Sequence, residues 1–185
     1  MVKQVIIKSS LILFLITMLI FGIVQILFRT QEYFQISDFQ YLLATSVSNA
    51  FIITSIYAIV AAYNMLTQTK KQQLSFFKVF GLCFSPGVIA GFLSLAVIFL
   101  IFNNYFPEGV EQLKNEYLDY SLLQYKNEAS YEEAAKIINS DAVRNTNILN
   151  SRTFILASLI IVFFNFSLGL MMAFLWKVKT TPTKR

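Results

Sequence analysis

The chain has 185 residues, 56% of them hydrophobic and 14% charged, with a mean hydropathy of +0.61. A soluble domain carries about 25% charged residues, so this composition indicates a membrane protein and leaves no room for a separate soluble enzyme domain. The net charge of +5 does not indicate nucleic acid, because the basic residues are divided among short pieces beside apolar runs, whereas a nucleic-acid reader gathers them on one face.

There is no histidine and one cysteine, Cys83. An intrachain disulfide and a Cys/His metal cluster are therefore excluded, and no cofactor is expected. The spacing predicts Cys83 as a small buried packing residue.

Lys3 and Lys8 precede the first apolar run, residues 9–28. At about 20 residues it has the length of a bilayer span, longer than the apolar part of a signal peptide, and no A-x-A-like cleavage site follows. It reads as an uncleaved signal anchor. A short polar loop leads to a second span, residues 41–66, which opens on the polar stretch Thr45-Ser46-Val47-Ser48-Asn49-Ala50. A short basic loop, residues 67–75, follows. The third span, residues 76–106, is too long for a straight crossing, so tilt or projection beyond the bilayer is expected. It contains Pro86, where a kink is expected, and the pair Gly87 and Gly91 in a G-x-x-x-G spacing.

Residues 107–152 form the sizeable extramembrane segment. Pro107 suits a first helical position, and Val110, Leu113, Tyr117 and Tyr120 recur at helical spacing. Ser130 with Glu133 has the form of a capping box for a second helix. An amphipathic helical hairpin is predicted here, resting on lipid or on the bundle. The fourth span, residues 153–176, ends on Trp176 and Lys177, and residues 177–185 form a polar tail expected to be disordered. The whole is one membrane domain, an all-α bundle of four transmembrane helices.

Charge orients it. Glu32 and Asp38 lie between the first two spans, and the other eight acids lie between the last two. The opposite side carries Lys3, Lys8, Lys70, Lys71, Lys78, Lys177, Lys179, Lys184 and Arg185 with no acid among them. Basic residues flanking spans stay in the cytoplasm, which places both termini inside and residues 107–152 outside.

Asn165, near the middle of the fourth span, either lines a pore or substrate path or bonds across to another helix, with Asn49, Thr54 and Ser55 as candidate partners. Gly87 and Gly91 are either a homodimer seam or a packing face within the chain, with Ala58, Ala62 and Gly169 as candidate neighbours. The acids Glu111, Glu116, Asp119, Glu132 and Glu133 are either a solvated face or a docking surface for a cationic partner. No carboxylate or arginine lies deep in a span, as an ion-coupled transporter usually requires.

From Lys70 to Arg152 the pattern resembles the DUF-4199 family of four-span inner-membrane proteins of unknown function, common in Bacteroidota. The resemblance rests on a basic loop entering Leu74-Ser75-Phe76, an aromatic, glycine-bearing third span, Phe106-Pro107 before an acidic helix, and a Ser-x-Glu-Glu helix start at Ser130. The loop Thr69-Lys70-Lys71-Gln72-Gln73 lacks the Tyr-Arg and glycine pair frequent in that family. The resemblance implies a bacterial inner-membrane location and carries over no site residues.

Three functions fit these features. The first is a non-enzymatic accessory or assembly subunit whose acidic outer hairpin meets a membrane or periplasmic protein. The second is a small oligomeric transporter or channel built on Pro86, Asn49 and Asn165. The third is an enzyme acting on envelope lipid precursors through Tyr105, Glu108 and Arg152.

Overall fold

Long apolar runs leave the backbone no hydrogen-bond partner in lipid but itself, which selects helices. The computed structural model describes residues 2–29, 38–71, 73–126, 130–147 and 149–180. About 91% of the described residues are helical, and no strand occurs among them. The elements are α1 (Val2–Arg29), α2 (Asp38–Val47), a π-helical segment (Ser48–Ile53), α3 (Thr54–Lys71), α4 (Phe76–Tyr105), α5 (Pro107–Gln124), α6 (Tyr131–Ile138), α7 (Asp141–Arg144) and α8 (Ser151–Thr180). The loop 30–37 and the tail 181–185 lie outside the described residues.

Four stretches are long and apolar enough to cross a membrane: Val2–Leu27, Leu43–Lys70, Phe76–Tyr105 and Ser151–Lys179. At about 1.5 Å per residue each exceeds the roughly 30 Å hydrocarbon core, so the helices project beyond it. Their ends run past the apolar limits of the sequence. Lys3 and Lys8 fall inside α1, the helix of the second span continues to Lys71, and residues 178–180 continue α8 rather than beginning a disordered tail.

Helices in lipid are held together by packing and polar contacts, because the surrounding tails are as apolar as the side chains. Here α4 lies at the centre, most extensively against α8 and also against α1 and α3. Val79, Leu82, Cys83, Leu168, Met172 and Ala173 form one buried core, and Leu13, Tyr57 and Ala90 form a second one beside it. Cys83 is a free thiol whose Sγ lies 3.5 Å from the Ala61 carbonyl. The aromatic stripe of the third span joins α8. Phe80 stacks on Phe84 at 5.2 Å, and both meet Phe166 edge-on.

Polar contacts hold α1 to α3. Ser9 Oγ donates to Asn64 Oδ1 at 3.1 Å, and one helical stretch further along Thr17 Oγ1 and Tyr57 OH share a hydrogen bond of 3.2 Å. Outward-facing leucines and isoleucines at positions 11, 15, 19 and 23 of α1 make its lipid stripe.

Interhelical hydroxyl bonds in a bilayer contribute about 0.6–2 kcal/mol. A double-mutant cycle on Thr17→Val and Tyr57→Phe, measured by unfolding in mixed micelles, should give a coupling in that range. Additive single effects would mean the hydroxyls do not meet.

Candidate functional site

Two places gather the residues that the sequence singles out: the middle of the α4/α8 seam, and the extramembrane platform formed by α5 to α7.

The seam begins with Asn165, which is 1% exposed. Its Nδ2 donates to the Ile161 carbonyl one turn earlier at 2.8 Å, and its Oδ1 is buried with no hydrogen-bond donor. A Cβ placed on Gly87 would stand 1.7 Å from that oxygen and 3.2 Å from Tyr57 Cδ1. The hydrogen that replaces a side chain at Gly87 therefore points at the amide oxygen, a weak Cα–H···O contact that partly compensates the missing donor. One turn on, a Cβ at Gly91 would lie 2.6 Å from Ile161 Cγ2. One turn back, Gly169 meets the Phe84 backbone, with its Cβ position 3.3 Å from the Phe84 Cα. The two glycines of the G-x-x-x-G are thus filled by the last span of the same chain. Ser94 and Ser158 fall at one level of this antiparallel register, and both hydroxyls are buried without a partner.

Asn165 does not reach Asn49, Thr54 or Ser55. Asn49 sits in the π-helical segment with an exposed side chain, and its neighbour Ser48 is the residue turned inward. Thr54 spends its hydroxyl on the Ala50 and Phe51 carbonyls of its own helix. A π turn adds a residue to the helical turn and shifts the face that follows, which separates Asn49 from the interior. Pro86 is buried inside α4, which runs unbroken from Phe76 to Tyr105.

The platform is built differently. Pro107 opens α5, and α5 rests against α2 and α4 at the end of the bundle. Along the amphipathic stripe Val110 is half-buried, Tyr117 and Tyr120 are exposed, and the side chain of Leu113 lies outside the described residues. The buried residue is Lys114, at 8% exposure. Its ammonium donates to the Arg144 carbonyl and, at 3.4 Å, to the Thr146 carbonyl. Arg144 reaches back. Its Nη2 meets Asp119 Oδ1 at 2.6 Å and Asn139 Oδ1 at 2.7 Å, and its Nη1 meets Asn115 Oδ1 at 3.4 Å. Two cations pointing in opposite directions therefore clasp the segment around α7 to α5. Asn115 and Asp119, the two partners of Arg144 on α5, share one helical face by i, i+4 spacing.

Ser130 precedes α6 but makes no side-chain cap; the first bond is from the Ala134 N–H to its backbone carbonyl. Of the acids singled out as a docking surface, Asp119 is engaged by Arg144, Glu111 lines a cavity of about 270 Å³ beside Lys114, and Glu132 and Glu133 stand exposed on the first turn of α6. The side chains of Glu116 and Glu108 lie outside the described residues. Tyr105 and Arg152 are exposed at the ends of α4 and α8. Among the described residues no group of His, Cys, Asp or Glu could hold a metal ion.

Lys114 and Arg144 escaped the reading of the sequence, although one signal was present. Lys114 is the single cation of the acidic helix and neighbours its apolar stripe, where a charge needs a specific partner.

A family model described as "Protein of unknown function (DUF4199)" matches residues 8–178. The chain belongs to the DUF4199 family. No curated protein and no solved structure shows a match. The match takes in all four membrane-crossing helices of this DUF4199 chain and the platform between the last two.

Overpacking a filled contact costs about 1–3 kcal/mol. Gly87→Ala should destabilise the protein by that amount, and Asn165→Ala in the same chain should recover much of the loss by emptying the contested volume. A double mutant as unstable as the sum of the singles would contradict the contact.

Proposed function

We propose that this chain is a non-enzymatic accessory or assembly subunit of a bacterial inner membrane, acting by protein contact through its extramembrane platform. Both termini lie in the cytoplasm in this reading, and residues 107–152 face the periplasm, following the charge asymmetry of the sequence. The observation that carries the proposal is the clasp between Lys114 and Arg144. A chain that only spans the membrane has no use for a platform fixed by two opposed cations. Fixing its backbone in advance lowers the ordering cost of a contact. The platform presents Glu132 and Glu133 beside the exposed Tyr131 and Ile137, a surface suited to a partner that is basic and apolar together.

Like charges set against each other at an interface cost several kcal/mol, roughly a hundredfold or more in affinity. Tagged protein taken from its own membranes into nanodiscs should retain a stoichiometric companion. Glu132→Lys with Glu133→Lys should lose that companion while insertion and monodispersity are unchanged, and Arg144→Ala should weaken it by loosening the platform. A companion held equally by all three proteins removes the support for this reading.

One observation favours a second reading, a small oligomeric transporter. Asn165 Oδ1, Ser94 Oγ and Ser158 Oγ are buried polar atoms without a partner along one seam. Were that seam to open as a path, cysteines placed at Ser94 and Ser158 would react with aqueous thiol reagents and liposomes would show solute flux. Inert cysteines in flux-silent liposomes would leave the contact reading alone.

A further inference from the structure

A second cavity, of about 420 Å³, lies between α1 and α3 at the end of the bundle opposite the platform. Its lining is graded along the helix axes. Ile12 and Val60 lie toward the middle of the bundle, Lys8, Ser9 and Asn64 come about one turn nearer its end, and Gln68 and Lys70 follow beyond them. Lys8 and Lys70 are exposed, while Asn64 and Gln68 are 2% and 6% exposed.

The buried amides are oriented and unfilled. The Ser9 hydroxyl donates to Asn64 Oδ1, which fixes the amide and leaves Nδ2 as a buried donor with no acceptor. Gln68, one turn away on the same face, has a buried Oε1 with no donor. Buried polar atoms left without partners cost about 1–3 kcal/mol each, so this pair marks a place where a ligand supplies what the protein does not. Thr67 donates its hydroxyl to the Tyr63 and Asn64 carbonyls, so it has no proton left for Gln68 Oε1.

The charge is equally unbalanced. Residues 1–31, 39–107 and 142–185 contain no Asp or Glu, so no carboxylate of these helices neutralises Lys8 or Lys70. The missing group is an anion that accepts from two ammonium groups and from Asn64 Nδ2, carries a hydroxyl to donate to Gln68 Oε1, and continues into an apolar tail along Ile12 and Val60.

We propose that this cleft binds an anionic glycerophospholipid with a hydroxylated headgroup. Its phosphate sits among Lys8, Lys70 and Asn64, its headgroup hydroxyl meets Gln68, and one acyl chain follows the Ile12/Val60 groove into the bilayer. A basic pocket between spanning helices is the physical form such a site takes. The exposed Tyr63 ring at the rim suits the headgroup level, where amphipathic aromatics concentrate.

The test uses the full chain purified in neutral detergent and offered phosphatidylglycerol, phosphatidic acid, phosphatidylcholine or inorganic phosphate. Bound lipid is read by native mass spectrometry and the unfolding midpoint by a thermal scan. The wild type should retain phosphatidylglycerol over both other lipids and gain thermal stability from it. Lys8→Gln with Lys70→Gln should lower retention roughly 30-fold, since each lysine near the surface contributes about 1 kcal/mol toward anionic lipid. Both residues are exposed, so this variant keeps the packing.

The exposed pair Lys78→Gln with Lys179→Gln removes the same charge from the same end and should leave retention near the wild-type level. An equal loss in that pair would reduce the effect to diffuse attraction and overturn the site. Gln68→Leu should abolish the preference for phosphatidylglycerol over phosphatidic acid while leaving the preference over phosphatidylcholine. Equal retention of phosphatidylcholine, or the same thermal gain from inorganic phosphate alone, would also overturn the proposal.

Discussion

Asn165 occupies the volume that any side chain at position 87 would need, and the placement of the last helix follows from that contact. Helices inside a bilayer gain little from leaving lipid for one another, so register must come from shape and from polar groups that tolerate only one arrangement. With Gly87 against Asn165, Gly91 receives Ile161, Phe84 covers Gly169 and Phe99 meets Phe154 edge-on at 5.1 Å. A slide of one turn in either direction would set the amide on Cys83 or Ile161 on Leu95, both of which carry side chains where the observed register has none. The buried oxygen of the amide would be costly in any register that gave it neither a donor nor a close Cα–H.

The two ends of the bundle are distinguished by what balances their charges. At the platform, cations and acceptors come from the same chain: Lys114 finds carbonyls, and Arg144 finds a carboxylate and two amides. The ion pair itself is surface-exposed and contributes at most about 1 kcal/mol. The clasp matters through the number of bonds that must break together. At the other end the lysines have no carboxylate in their own helices, so their counter-charge comes from outside these helices.

The fold was largely legible in the sequence because its determinants are local. Four long apolar runs separated by charged or polar pieces demand four helices, and the Pro107 start and the α6 helix are set by residues within a few positions. The contacts of the site were not legible. Asn165 was singled out from its depth in the span, but its partner depends on which glycine faces it. Asn49, Thr54 and Ser55 are polar enough to be candidate partners, and the π turn that moves Asn49 outward leaves no mark in composition. The stripe Val110, Leu113, Tyr117 and Tyr120 suggested an apolar face, yet Lys114 is what the fold shields. Periodicity counts hydrophobicity and cannot see an ammonium whose donors are met by carbonyls 30 and 32 residues away.

The mode of attachment also explains where this protein has room for something else. The α4/α8 seam is closed by shape at its glycines, where Asn165, Ile161 and Phe84 stand in the place a Cβ would take. The α1/α3 contact relies on side chains that reach across, Ser9 to Asn64 and Thr17 to Tyr57. Hydrogen bonds of that length hold two helices together without bringing their backbones into contact. A gap therefore remains beside the bonded pair, and it widens at the end where the next polar residues, Gln68 and the lysines, are drawn toward water or headgroups. The same serine that ties α1 to α3 orients the amide that faces this gap. Helix association and the orientation of the buried amide at this end thus depend on one side-chain pair, whereas at the seam the register rests on close packing at the glycines.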